Sequence, residues 1–284
     1  MHHSQRTRNL SAAAVCLATL AGLSDNAHAQ GETGFLRGRG KLDLVTSWNR
    51  DTYDDFFIGD SPFAPRIGGT RRDVYSLYGA YGLTDDVDLI ANAAYVEAVA
   101  DAESFLLSDE SALQDLTLGA KVRIGSERIG AGEASLLFAP GIKLPLTDYA
   151  DFRENAINAP GHGQVDLRAR VIGQYHFDAG PWVALETGYD RRNGAPADEV
   201  PFNLTIGFNV LERLTLMPFY GHTFGIGETP DDSGLETSGA RYDRFGLGAY
   251  WRISDTYGLS GNYRRTDEGR NESEGFSLGL VLRF

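Results

Sequence analysis

The last nine residues of the chain alternate strictly. Phe276, Leu278, Leu280, Leu282 and Phe284 are apolar, and Ser277, Gly279, Val281 and Arg283 stand between them. Successive side chains of a strand point to opposite faces, so one face of this strand is wholly apolar up to the carboxylate while the other is polar or small. A water-soluble sandwich also alternates, but its closing strand has no need of a terminal aromatic at the water boundary. The constraint is therefore a strand whose greasy face persists to the very end of the chain.

The same period of two recurs along the sequence in twelve segments of roughly 9 to 14 residues, the length a tilted strand needs to cross an apolar layer. They fall near 41–50, 72–82, 87–97, 114–124, 134–145, 164–176, 182–191, 201–210, 214–223, 241–253, 257–265 and 275–284. Two are especially clear: Leu116, Leu118, Ala120, Val122 and Ile124 alternate with Asp115, Thr117, Gly119, Lys121 and Arg123, and Phe202 to Val210 alternates with Asn203 to Asn209. A soluble barrel would turn the apolar set inward and a membrane barrel outward, so alternation alone does not choose between them.

The connections do choose. Leu83–Asp86, Phe177–Pro181, Leu211–Arg213 and Ser254–Thr256 are tight links in which Thr, Ser, Asp or Glu recur, and Gly125–Glu133 is a looser one. Every other link is on the whole long and polar, as in Asp51–Arg71, Ala98–Leu113, Leu146–Gly163 and Phe224–Ala240. Short turns on one side and long loops on the other, with both strand termini on the short side, are the pattern of a transmembrane barrel. The expected fold is all-β: an antiparallel up-and-down barrel over 41–284 with about 12 strands, short periplasmic turns, long extracellular loops and a short periplasmic segment at 30–40. Outward aromatics should form two belts, with Trp48, Tyr75, Tyr95, Tyr189 and Tyr263 toward the loops and Tyr81, Tyr175, Trp251 and Tyr257 toward the turns. Pro140 and Pro218 fall inside strands, which predicts a bulge beside each, near Gly141 and Gly221.

The N-terminus carries an independent signal. Arg6 and Arg8 precede an apolar run from Leu10 to Leu23, too short to span a bilayer, and Ala27-His28-Ala29 offers small residues for cleavage. Residues 1–29 read as a secretory leader, which would remove the single cysteine, Cys16. Loss of Arg6, Arg8 and Asp25 with it takes the formal charge from −13 to −14 and makes nucleic acid an improbable partner. No apolar stretch of about twenty residues exists, which excludes a helical membrane protein and leaves a β-barrel open.

The closing strand resembles the C-terminal strand of bacterial outer-membrane barrels, whose final aromatic is read by the assembly machinery. That resemblance makes Phe276, Leu278, Leu280, Leu282 and Phe284 the expected assembly signal and places the protein in the outer membrane of a Gram-negative bacterium. Further phrases are similar to one family. Tyr78-Gly79-Ala80-Tyr81-Gly82-Leu83-Thr84-Asp85 with Val87-Asp88-Leu89, the stretch Leu116 to Arg123, and Gly161-His162-Gly163-Gln164-Val165-Asp166-Leu167 resemble small outer-membrane barrel transporters associated with the meta-cleavage pathway of phenol degradation. The resemblance implies a channel for passive uptake of small, aromatic or hydrophobic solutes. Similar barrels are also linked to a non-conducting structural or accessory role beside exopolysaccharide export. Neither role implies a catalytic residue or a cofactor, and the partners implied are outer-membrane lipid and lipopolysaccharide, the barrel assembly machinery and a small-molecule solute.

Strand parity then gives the candidate lumen. Asp115, Lys121, Lys143, Asp166, Arg168, Arg170, Glu186, Asp190, Arg244 and Arg252 should face inward, with Asp43, Asp73, Asp88, Arg123 and Arg283. Across the short turn at Phe177–Pro181, either of two registers sets a base against an acid: Arg170 opposite Glu186, or Arg168 opposite Asp190. Inward glycines at 119, 141, 188, 207, 246, 248 and 279 would leave volume for a path. Phe56, Phe57 and Phe63 in the first outer loop are gate candidates, folding over the mouth or extending the outer belt. His222 has no serine two residues on and no acid nearby in sequence, while His162 and His176 lack a second histidine at ligand spacing; the expectation is neither an enzyme nor a metal site. The acidic groups Asp51, Asp54, Asp55, Asp60 and Asp231, Asp232, Glu236 read as solvated loop surface.

Overall fold

The computed structural model describes residues 33–57, 66–101, 109–147, 160, 163–193, 198–226, 241–268 and 271–284. The expected leader, Phe63, His162, Asp60 and the 231–236 acids lie outside them. Among the described residues thirteen strands follow in order: β1 (Leu42–Phe57), β2 (Arg66–Gly82), β3 (Val87–Ala100), β4 (Glu110–Leu113), β5 (Leu116–Arg128), β6 (Gly132–Leu144), β7 (Asp166–Phe177), β8 (Trp182–Arg191), β9 (Asp198–Leu211), β10 (Leu214–Ile226), β11 (Arg241–Arg252), β12 (Tyr257–Glu268) and β13 (Asn271–Arg283). β4 and β5 both pair with β3, above and below a break at Gln114–Asp115, and together make one wall. Twelve walls result, all antiparallel. β1 pairs with both β2 and β13, and β2 with β3, so the sheet closes on itself.

Closure matters because lipid offers backbone groups no hydrogen-bond partner. The outward face carries exposed Leu77, Leu89, Leu118, Leu247, Leu259, Leu278 and Leu280, and the alternate residues Asn49, Val74, Val96, Ile172 and Val281 are buried within. An apolar outside around a largely polar inside is the inverse of a soluble barrel, and it identifies the surrounding solvent as lipid. Tyr75, Tyr95, Tyr189 and Tyr263 are exposed toward the long-loop end and Tyr81, Trp251 and Tyr257 toward the short turns. These form the two expected belts. Trp48 and Phe276 meet edge to face in the outer one, with ring centroids 5.1 Å apart.

The strands run longer than the alternation suggests, mostly on the loop side. β1 continues to Phe57 and β2 begins at Arg66, where 41–50 and 72–82 were expected. Beyond the lipid both faces of a hairpin are wet, so nothing there enforces period two. Asp51 accordingly lies in β1, not in a loop, and so do the gate candidates Phe56 and Phe57, whose backbones pair with Gly68 and Arg66.

The prolines do not produce bulges. β5 and β6 pair from Gly119↔Gly141 to Val122↔Phe138 with no shift, but no pairing joins Ala120–Lys121 to Ala139–Pro140. The same gap occurs at Pro218 between β9 and β10, and at Pro201 between β8 and β9. A residue without an N–H opens the ladder locally and leaves its register intact. Shifts occur elsewhere, between Arg123 and Gly125 and between Leu214 and Thr215.

Asp73 is a second correction. It pairs with Arg50 and shares the outward parity of Tyr75 and Leu77. Its carboxylate accepts from Arg50 at 2.7 and 2.9 Å and from Trp48 Nε1 at 2.9 Å, with Arg71 Nε at 3.2 Å. A charge at the outer rim is thus fully partnered on the lipid side.

Candidate functional site

The lumen is occupied at its turn end by the chain's own N-terminal segment. Residues 33–40, expected in the periplasm, instead lie against the inner wall before β1 begins. Gly34 N donates to Gln174 Oε1 of β7 at 2.8 Å, and Lys121 Nζ of β5 donates to the carbonyls of Thr33 and Phe35 at 3.1 and 2.9 Å. Arg37 N reaches both oxygens of Asp88 on β3 at 3.1 and 3.0 Å, and its guanidinium pairs with Asp43. Phe35 stacks edge to face on Trp182, with centroids 5.2 Å apart, and faces His176 at 6.4 Å. The segment leaves the lumen through Gly38 and Gly40, both in the left-handed region at φ +87° and +77°, where a side chain would be strained. Gly34 is small for another reason, since a Cβ there would fall 2.9 Å from Gln174 Cβ.

Above this segment the wall is charged. The β7–β8 register sets Arg168 opposite Asp190, the second of the two anticipated alignments. Arg170 nevertheless reaches past its own partner, Gly188, to form a two-pronged pair with Asp190, and its Nε lies 3.5 Å from Glu186; Arg168 Nε is 3.5 Å from Asp190. Arg170 therefore bridges both acids, and Asp190 takes both bases. Lys143 faces Asp115 at 3.8 Å, Arg192 pairs with Glu199 at 2.7 Å and Arg264 with Asp51. Asp166 accepts from Asn193 N at 3.2 Å. Such groups are expensive to bury singly and are retained here as pairs.

Of the spaces that remain, one of ≈ 100 Å³ lies against β3, β5 and β6 beside Gly119, Lys121 and Gly141, and two others concern the site. The larger, of ≈ 650 Å³, opens at the turn end between the N-terminal segment and the inner faces of β1 and β10–β13. Phe35, Leu36, Trp182, Met217 and Tyr250 line it with Ser47, Ser260, Asn262 and Ser277. Arg37, Lys41, Arg283, Asp43 and Asp255 complete its rim and floor. The smaller, of ≈ 50 Å³, is a cleft higher up among Lys143, Arg168, Arg170, Glu186, Asp190 and Arg244.

Several inward glycines do not mark a path, contrary to expectation. A Cβ on Gly207 would fall 2.0 Å from the Trp182 ring, one on Gly246 would fall 2.6 Å from Phe219 Cζ, and one on Gly188 would meet Arg170. At Gly207 the space is taken by the Trp182 ring, while at Gly188 and Gly246 the nearest atoms are backbone oxygens, Ala169 O at 2.0 Å and Tyr263 O at 2.2 Å.

Of the predicted lumenal residues, Asp166, Arg168, Arg170, Glu186, Asp190, Lys143 and Arg244 converge on the upper cleft, with Asp115 reached through Lys143. Lys121 serves the N-terminal segment, and Arg252 is exposed at the turn end of β11. His222 proves to be outward, its Nδ1 2.7 Å from Asp243, an acid that sequence distance concealed. No group of three or more metal-ligating side chains occurs among the described residues. Sequence reasoning missed Phe35, Arg37, Trp182 and Tyr250. The one available hint was the apolar pair Phe35-Leu36 stranded among Gly31, Gly34, Gly38 and Gly40.

Comparison with known proteins agrees with this architecture. An outer membrane channel from Pseudomonas putida F1 superposes with a TM-score of 0.73 at 18% identity, over 90% of this chain and 98% of that one. The translocator domain of the autotransporter NalP from Neisseria meningitidis superposes with a TM-score of 0.53 at 14% identity, over 95% and 96%. At such identities the likeness is one of fold, a twelve-walled outer-membrane barrel. Comparison with curated protein sequences finds no match. Residues 26–284 match a family described as "Putative MetA-pathway of phenol degradation", and the chain belongs to that family.

Proposed function

We propose that the barrel is a passive outer-membrane channel for small solutes of aromatic or hydrophobic character, driven by the solute's own gradient. One observation carries this reading: the ≈ 650 Å³ cavity inside the lumen, open at the turn end and lined on one side by Phe35, Leu36, Trp182, Met217 and Tyr250. A space of that size and mixed lining suits a single-ring solute held by apolar contact and oriented by a few polar groups. Planar-bilayer recording of refolded protein, with liposome uptake of a panel of solutes, tests it. Discrete conductance and uptake of single-ring compounds are expected. A silent bilayer with impermeable liposomes would favour the second reading, a structural or export-accessory barrel, which the ion-paired interior supports.

The apolar outward face of β13 is proposed as the signal for the assembly machinery, since Phe276, Leu278, Leu280 and Phe284 are all exposed on it. Deleting Phe284 should lower outer-membrane levels sharply while secretion continues. Undiminished heat-modifiable barrel in that variant would remove the proposal.

A further inference from the structure

The chain is strongly acidic, yet among the described residues the most exposed members of the interior ion pairs are arginines. In most of the interior ion pairs the acid is the more deeply buried partner, as in Arg37–Asp43, Lys143–Asp115, Arg168–Asp190 and Arg283–Asp43; Arg170–Asp190, Arg192–Glu199 and Arg264–Asp51 are reversed by only a few per cent, and the largest exposures belong to Arg283 and Arg168. Beside the lower cavity the Arg283 side chain is 33% exposed while its partner Asp43, 3.7 Å away, is 6% exposed. Around the upper cleft, Arg168 and Arg244 are half-buried while Glu186, Asp190 and Glu199 are buried. Asp255 and the terminal Phe284 line the lower cavity's mouth, where water screens their carboxylates.

Two of these arginines lie against aromatic rings. Arg283 sits 5.0 Å over Tyr250 and Arg244 sits 6.0 Å over Phe219. A guanidinium laid over a ring turns its N–H edge away from that ring, and the edge binds carboxylates in two-pronged fashion in exchange for weaker partners such as the 3.4 Å contact of Arg244 with Asn203; a walled cavity concentrates the attraction. The neighbouring rings supply a surface for an apolar body. Resting on the channel reading above, we infer that the lumen selects anions and that its solute is a small aromatic carboxylate. Its carboxylate is met first by Arg168 and Arg244 and then by Arg283, and its ring rests on Trp182, Met217 and Tyr250.

The test uses the refolded full chain with potassium benzoate as probe and benzyl alcohol as its neutral counterpart. In a bilayer held across a benzoate gradient, the reversal potential should show benzoate more permeant than potassium by roughly tenfold, and an R244Q/R283Q variant should bring the two close to parity. A channel that conducts with cation preference overturns the inference and leaves the channel reading standing. Trp182 supplies a readout that needs no conductance. In a W48F/W251F background it is the only tryptophan, and benzoate should quench it at roughly tenfold lower concentration than benzyl alcohol. Benzoate preference in a silent barrel would overturn the channel reading while sustaining this one; equal quenching, or none, overturns the inference.

Discussion

The two sides of the lumen are built from the same alternating strands and end in opposite states. On the β3 and β5–β8 side, inward positions hold Asp88, Lys121, Leu137, Arg170, Ile172 and Glu186, all buried, and the N-terminal segment is bonded to that wall. On the β12–β13 side Arg264 and Arg283 stand at the two ends, and between them the inward positions hold Gly258, Ser260, Asn262, Ser277 and Gly279 with Val281, and the cavity lies before them. Long charged side chains both fill space and supply the donors that fix a strand-free segment. Short neutral ones do neither. Openness in this barrel is decided by the length and hydrogen-bonding reach of inward side chains, not by strand number alone.

The comparison is broken most directly by removing what the closed side holds. Deleting residues 33–37 should raise single-channel conductance several-fold, because the segment walls the larger cavity; unchanged conductance would place the barrier in the upper cleft instead. Lys121→Met should come next. It leaves the Thr33 and Phe35 carbonyls without their donor and should lower barrel stability by about 3 kcal/mol, read as a shift in urea or heat unfolding of the refolded barrel. The segment would also become accessible to protease from the turn end.

Smaller effects sharpen the contrast. Gly207→Ala places a methyl where the Trp182 ring lies, and should cost roughly 1–3 kcal/mol with a change in Trp182 fluorescence. Replacing Arg168 and Arg170 by Ala leaves Asp166, Glu186 and Asp190 uncompensated, so a conducting barrel should shift toward cations; a parental reversal potential would show that these side chains line no path. On the open side Ser277→Ala should stay within about 0.5 kcal/mol of the parent, since nothing bonded to it depends on that hydroxyl for packing. A large loss there would contradict the proposed asymmetry.

The alternation of Phe276 to Phe284, the tight links and the outward aromatics follow from one boundary condition, lipid outside and water at both ends, and that condition is written locally in each strand. Twelve walls, their order and their orientation were therefore legible before any coordinates, as was a base set against an acid across the β7–β8 turn, because a short turn leaves few registers; that Arg170 would reach past Gly188 to Asp190 was not. Where the boundary condition lapses, legibility lapses with it. Beyond the lipid the hairpins grow without an alternating signal, as β1 and β2 do to Phe57 and Arg66. Asp73 alternates correctly yet is charged and outward, because its partners Arg50, Arg71 and Trp48 lie close enough to satisfy it at the rim. What only the tertiary structure decided is the inside. Seating of Phe35 on Trp182, of Trp182 over Gly207 and of Lys121 on two carbonyls depends on contacts between residues 86 or more apart or on different walls, and a local pattern carries no record of which distant group will fill a given space.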